Sequence, residues 1–142
     1  MKTFALATTL VFALVSGQAM AICTATGGWK KMDAAGSGGS LALNTLTGKT
    51  VCVGAAPTWQ AQEYHQTGGA LIDYKRGPAT PGNVDPTEQV GAWSIVGDQI
   101  NYSYTSGGNY TFDVYENSGA YSFCTGAASA AEATLRTGQV PC

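Results

Sequence analysis

The sequence predicts an all-β domain: an antiparallel meander of about eight strands that closes into a small, disulfide-stapled barrel. Three observations predict it. After Thr47 no apolar stripe recurs at helical spacing over a useful length. In its place stand short segments of alternating apolar and polar residues, with turn residues at intervals of about ten. Four cysteines, Cys23, Cys52, Cys124 and Cys142, stand far apart in a chain whose start reads as an export signal.

The elements follow in chain order. Of the 142 residues, 1–21 carry one positive charge at Lys2, an uncharged apolar run from Phe4 to Val15, and the small-residue close Ala19-Met20-Ala21. This is the pattern of a cleaved secretory signal. A run of about 12 apolar residues is too short for a membrane helix, which needs roughly 20. The mature chain is expected to begin at Ile22 and to work outside the cytoplasm, secreted or periplasmic. Residues 22–47 keep no sustained period and contain the run Gly36-Ser37-Gly38-Gly39-Ser40. They read as a flexible leader whose Trp29 and Met32 can dock on the body. The barrel-like domain then occupies 48–142.

Within that domain the first strand is "KTVCV" (49–53). Two arms, about 59–66 and 70–76, flank Gly68-Gly69. The clearest stretch runs from 90 to 124. Gly97-Asp98 fits a two-residue primed turn, which sets Ile95 opposite Ile100 and Trp93 opposite Tyr102. An odd loop near Gly107-Gly108 then puts Tyr104 opposite Tyr110, because a one-residue slip would turn the next apolar set outward. A four-residue turn at 116–119 puts Val114 opposite Tyr121 and Phe112 opposite Phe123. Trp93, Ile95, Ile100, Tyr102, Phe112, Val114 and Phe123 are therefore expected on one core face. A last strand lies near 131–137. Closing such a meander protects its edges, and eight strands leave room for side chains or one small ligand. The loop 77–89, with three prolines, is expected across one end.

The layout resembles the lipocalin-like (calycin-type) small barrels of exported proteins. The residues behind the resemblance are the G-x-W triplets Gly27-Gly28-Trp29 and Gly91-Ala92-Trp93, and the train of hairpins from 49 to 137. The resemblance is one of architecture. It implies an apolar-ligand cup and carries no binding residues over.

The cysteines admit more than one pairing. Cys52 alternates with Val51 and Val53, and Cys124 follows Phe123, so both face out if their apolar neighbours face in. Their strands lie near the two ends of the sheet that closure joins. This favours Cys52–Cys124, with Cys23–Cys142 joining the tails. A strand at 131–137 would intervene, and then Cys23–Cys52 with Cys124–Cys142 is the alternative. The cysteines are too widely spaced for a zinc site, so no metal and no cofactor is expected.

Charge excludes further classes. Seven basic residues stand against nine acidic ones, a formal net charge of −2. No positive face is available to replace phosphate counterions, so nucleic acid is not an expected partner. Nor, once the signal is cleaved, is a membrane. The single histidine, His65, sits in "AQEYHQTGGALIDYKRG" (61–77). Folding this stretch about Gly68-Gly69 with an even loop pairs His65 with Ile72, Glu63 with Tyr74 and Ala61 with Arg76. Trp59, Glu63, His65, Tyr74 and Arg76 then share an inner face and form the candidate ligand-binding set. In that register Glu63 and Asp73 face opposite ways, which argues against a two-carboxylate glycosidase. No nucleophile-elbow or metal motif occurs. The expected function is that of an exported, non-enzymatic protein binding a small molecule in or at the mouth of the barrel, or another exported or host protein. The alternatives are a small hydrolase or isomerase using His65 and Glu63, and a secreted protein-binding inhibitor or effector.

Overall fold

In a computed structural model that describes residues 22–75 and 87–142, nine strands form one sheet. They are β1 (Lys30–Lys31), β2 (Lys49–Val53), β3 (Ala61–His65), β4 (Ala70–Lys75), β5 (Glu88–Val96), β6 (Gln99–Tyr104), β7 (Gly108–Asn117), β8 (Ala120–Thr125) and β9 (Ala128–Thr137). Each strand from β2 to β8 pairs antiparallel with the next, and β9 returns to β2. The expected eight-strand meander is therefore a closed barrel, and closure leaves no long unpaired edge. β1 is an extra strand. It pairs with β7 at Tyr115 and Glu116, beyond the stretch that β6 occupies. The signal segment 1–21, Arg76 and most of the 77–89 loop lie outside the described residues.

The turns show how local chemistry set the register. Val96 pairs with Gln99, which leaves the two-residue turn Gly97-Asp98 with Gly97 at φ 59°. This is the glycine-first primed turn that the sequence predicts. Two other registers differ by two residues. β7 and β8 continue to the pair Asn117–Ala120 and turn at Ser118-Gly119, both with positive φ. Val114 therefore meets Phe123 rather than Tyr121. The β6–β7 loop is only 105–107, so Tyr110 meets Tyr102 rather than Tyr104. Side chains alternate with period two, so shifts of two keep every face. Trp93, Ile100, Tyr102, Val114 and Phe123 are buried in one cluster, with Ile95 and Phe112 packed against it.

The β3–β4 hairpin corrects the sequence reading by one residue. His65 pairs with Leu71, Tyr64 with Ile72 and Glu63 with Asp73. Gln66 and Ala70 close a turn of three residues in which Gly68 and Gly69 both hold φ 93°. Only glycine takes that conformation without strain. The odd loop buries Leu71 completely and turns β4 over relative to expectation. Farther along, a bulge gives β4 one extra residue between its pairs with Glu63 and Gln62.

Trp93 of the second G-x-W triplet locks this turn. Its backbone N–H bonds Gly69 O at 2.7 Å and its indole N–H bonds Gln66 O at 3.1 Å. Gly91 of the same triplet lies where a Cβ would sit 2.2 Å from Ser103 O. The glycine is thus required by the close approach of β5 to β6.

Residues 22–47, read from their Gly-Ser run as a flexible leader, pack on the barrel. Asp33 Oδ1 accepts N–H bonds from Ala35, Gly36 and Ser37, which orders the start of that run. Met32 docks as the sequence allowed, and Leu43 and Leu46 join it. All three are 0 % exposed and belong to the barrel core. They close the end that carries the β5–β6 and β7–β8 turns, where Ala34 N–H bonds Asp98 Oδ1. The glycines supply bends, and the leucines beyond them supply the apolar surface that holds the segment down.

The disulfides are Cys23–Cys124 and Cys52–Cys142. Neither the favoured pairing, Cys52–Cys124 with Cys23–Cys142, nor its alternative is correct. β9 lies between β2 and β8 and separates Cys52 from Cys124. Cys124 does face outward, as expected. There the N-terminal segment covers it, and Cys23, Tyr115, Cys124 and Trp29 make a second small core outside the barrel. The C-terminal tail folds back beside β2 and β3, where Cys142 N–H bonds Gln62 Oε1 at 2.6 Å. Among the described residues no helix is long and apolar enough to cross a membrane.

Candidate functional site

Polar and apolar interior groups meet along the barrel from His65, near the plugged end, to Tyr104, toward the opposite end. β3 aims Glu63 and His65 inward, two residues apart. β4 sets Asp73 across from Glu63, and β6 supplies Tyr102 and Tyr104 at strand spacing. The sequence placed Glu63 and His65 on the inner face, and they are there. It missed Asp73, because the one-residue slip had turned that carboxylate outward. Asp73 is in fact buried and directly opposite Glu63. It also overlooked Tyr102 and Tyr104 as polar partners, although their parity placed both on the core face.

His65 is fully buried. Its Nδ1 lies 3.2 Å from the backbone oxygen of Glu63 and its Nε2 lies 2.7 Å from the Tyr102 hydroxyl. A carbonyl only accepts, so Nδ1 carries the proton and donates, while Tyr102 donates to Nε2. The Trp93 ring stands edge-on at 5.0 Å between centroids. Burial holds the imidazole neutral and depresses its pKa to about 4. Both nitrogens are engaged, which is the arrangement of a histidine that organises a core.

Glu63 is placed differently. The Tyr104 hydroxyl donates to its carboxylate, 3.0 Å from Oε1 and 2.9 Å from Oε2. Burial pushes the pKa up to about 7, against the pull of that hydrogen bond, and the Asp73 carboxylate opposite adds to the rise. Burial also raises the Tyr102 and Tyr104 hydroxyls, so both stay protonated at neutral pH.

Beside Glu63 opens a cleft of about 190 Å³. Among the described residues its lining is Val51, Val53, Ala61, Glu63, Tyr102, Tyr104, Phe112, Phe123 and Ala131. The rings behind it form a continuous cluster. Tyr102, Phe112 and Phe123 have mutual centroid distances of 6.0, 6.1 and 6.2 Å, and Tyr104 lies 6.2 Å from Tyr102. Of the four described residues among the five singled out from sequence, only Glu63 lines this cleft. His65 sits one layer deeper. Trp59 is half-buried in the turn before β3. Tyr74 is on the outer side of β4, near Gln139 of the C-terminal tail, where burial raises its hydroxyl. Arg76 lies outside the described residues. Among the described residues no cluster of three metal-ligating side chains occurs.

Glu63 and His65 predict a pH signature. The folded pKa of Glu63 is raised, so its contribution to stability is fully present below its unfolded value and is lost as pH rises through about 7. The folded pKa of His65 is depressed, so its contribution is present above its unfolded value and is lost as pH falls toward about 4. The two slopes oppose each other in mildly acidic solution. Glu63→Gln removes only the first. Urea unfolding at a series of pH values is expected to show the variant gaining about 2 kcal/mol relative to wild type between pH 5 and pH 8. A constant difference across that range would mean that Glu63 titrates normally.

In class, then, the chain is a closed, disulfide-tied antiparallel barrel, plugged at one end and clefted at the other, and this agrees with calycin-type architecture. A scan against protein-family models finds no match, and searches of curated proteins and of solved structures find none either.

Proposed function

We propose that this chain is an exported, non-enzymatic binding protein that holds a small molecule at the mouth of a lipocalin-like barrel. The observation that carries the reading is the cleft of about 190 Å³, walled by apolar and aromatic side chains and provided with one orienting carboxyl, Glu63. Ligand sites have this character, with a mostly apolar wall and few polar groups that fix orientation. The volume selects a ligand of about one ring, since a cavity of about 150 Å³ can admit benzene. Export rests on the signal-like segment 1–21 and fits the two disulfides, which persist in oxidising compartments.

Catalysis by His65 with Glu63 is disfavoured. A general base must reach the proton it removes. His65 has both ring nitrogens occupied and is not part of the cleft lining. The absence of a basic surface in the composition argues against a nucleic-acid partner.

The test is a titration of the oxidised protein with monocyclic aromatic probes of positive, neutral and negative charge, followed by methyl NMR. Binding in the cleft is expected to shift the methyl signals of Val51, Val53 and Ala131 together. If no probe of any charge moves them, or if shifts arise only elsewhere, the reading fails.

A further inference from the structure

We infer that the cleft selects a small organic cation, an amine carried on an apolar or aromatic body, with Glu63 as the counter-ion and the ring cluster as the cation-binding wall. The inference rests on the reading above and adds the ligand's charge. Four of the nine lining residues are aromatic: Tyr102, Tyr104, Phe112 and Phe123. Aromatic rings attract cations through their quadrupoles, and the attraction grows as water is excluded. The remaining lining apart from Glu63 is Val51, Val53, Ala61 and Ala131, which offers no hydrogen bond from a side chain. Among the described residues, the only side chain of the lining that ionises to a charge near neutral pH is therefore an acid.

Charge complementarity decides between ligand types. An anion would face the Glu63 carboxylate, with Asp73 behind it on β4. A neutral ligand would complete the desolvation of Glu63 and give it nothing in return. A cation offers a charge-assisted partner to the carboxylate oxygens, which among the described residues accept a hydrogen bond from the hydroxyl of Tyr104. Among the described side chains, Lys30, Lys31, Lys49 and Arg136 are engaged elsewhere, at Gly39 O, Asp113, Thr137 and the C-terminal carbonyls.

The binding carries a proton linkage. Glu63, with a pKa of about 7, is about half protonated at neutral pH, and a cation binds its ionised form. Among the described residues, the groups facing it are Asp73 from β4, Tyr102 and Tyr104 from β6, and His65 from its own strand. The tyrosines stay protonated across the neutral range, and His65 stays neutral down to about pH 4. Affinity for a cation is accordingly expected to fall by up to about tenfold per unit as pH drops below 7, with a proton released on binding.

Calorimetric titration of the oxidised protein with phenethylamine, 2-phenylethanol and 3-phenylpropanoate tests this. These probes share one ring and differ in charge. Phenethylamine is expected to bind at least about tenfold more tightly than the other two at pH 8. Its advantage should disappear in Glu63→Gln, which keeps the shape of the side chain, and its enthalpy in buffers of different ionisation heat should report proton release. Equal or tighter binding of the alcohol or the acid overturns the cation assignment while leaving a ligand-binding cleft. An amine advantage unchanged in Glu63→Gln also overturns it. If none of the three binds, the ligand-binding reading itself fails.

Discussion

Replacing Phe123 by alanine is expected to destabilise the barrel by about 3–5 kcal/mol, among the largest effects of any single truncation in this chain. Phe123 is 3 % exposed and sits where β7, β8 and β9 meet, opposite Val114 on one side and Ala131 on the other. Its ring packs against those of Tyr102 and Phe112. The partners at its base are small or stiff, and the strands are held by ladders on both sides, so the space cannot collapse. Phe112→Ala is expected to cost less, because that ring is only half-buried at the cleft. Val96→Ala provides the control. Val96 is 60 % exposed and its truncation is expected to stay within about 0.5 kcal/mol. Chemical unfolding of the three variants checks the order, and a Phe123→Ala loss below about 1 kcal/mol would contradict the packing described above.

The second large effect concerns the bridge between the N-terminal segment and β8. Cys23 and Cys124 are separated by 101 positions in sequence. Closing a loop of that length stabilises a fold by about 4–5 kcal/mol in the chain-entropy picture, with measured values often smaller. The double replacement Cys23→Ser with Cys124→Ser is expected to lose a substantial part of this. It should also loosen the outer cluster of Trp29 and Tyr115 while the interior cluster persists. A red-shifted tryptophan emission that precedes global unfolding in urea would report that loosening. An unchanged unfolding midpoint and emission would show that the bridge constrains nothing. Non-reducing peptide mapping checks the connectivity directly: the peptide with Cys23 must carry the one with Cys124, and that with Cys52 the one with Cys142.

Both predictions rest on features with different visibility in the sequence. The Phe123 face was legible, because alternation is local. Trp93, Ile100, Tyr102, Val114 and Phe123 occur at even spacing along their strands, and no register shift of two can turn them outward. Gly97-Asp98 was legible for the same reason, since a glycine at the first turn position acts on its own neighbours. The disulfide partners were not legible. Which cysteine meets Cys124 depends on where β9 inserts and on which outer face the N-terminal segment covers.

The candidate site divides along the same line. That Glu63 and His65 share an inner face follows from a spacing of two in a strand. Whether Asp73 joins them turned on one residue of loop length at Gly68-Gly69. Alternation in β4 is ambiguous there, for Leu71 and Ile72 are adjacent and equally apolar. Burying Leu71 against the closed barrel selected the odd loop and brought a second carboxylate inward. By itself the sequence determined the all-β class, the eight strands of the barrel though not the extra β1, the inward set of the central hairpins and the outward sense of Cys124. Tertiary structure alone decided the plug formed by Met32, Leu43 and Leu46, the cysteine pairing, and the cleft between Glu63 and the aromatic rings. The physical reason is range. Side-chain parity is set by neighbours in the chain, whereas plugs, bridges and clefts are set by which distant surfaces exclude water from one another.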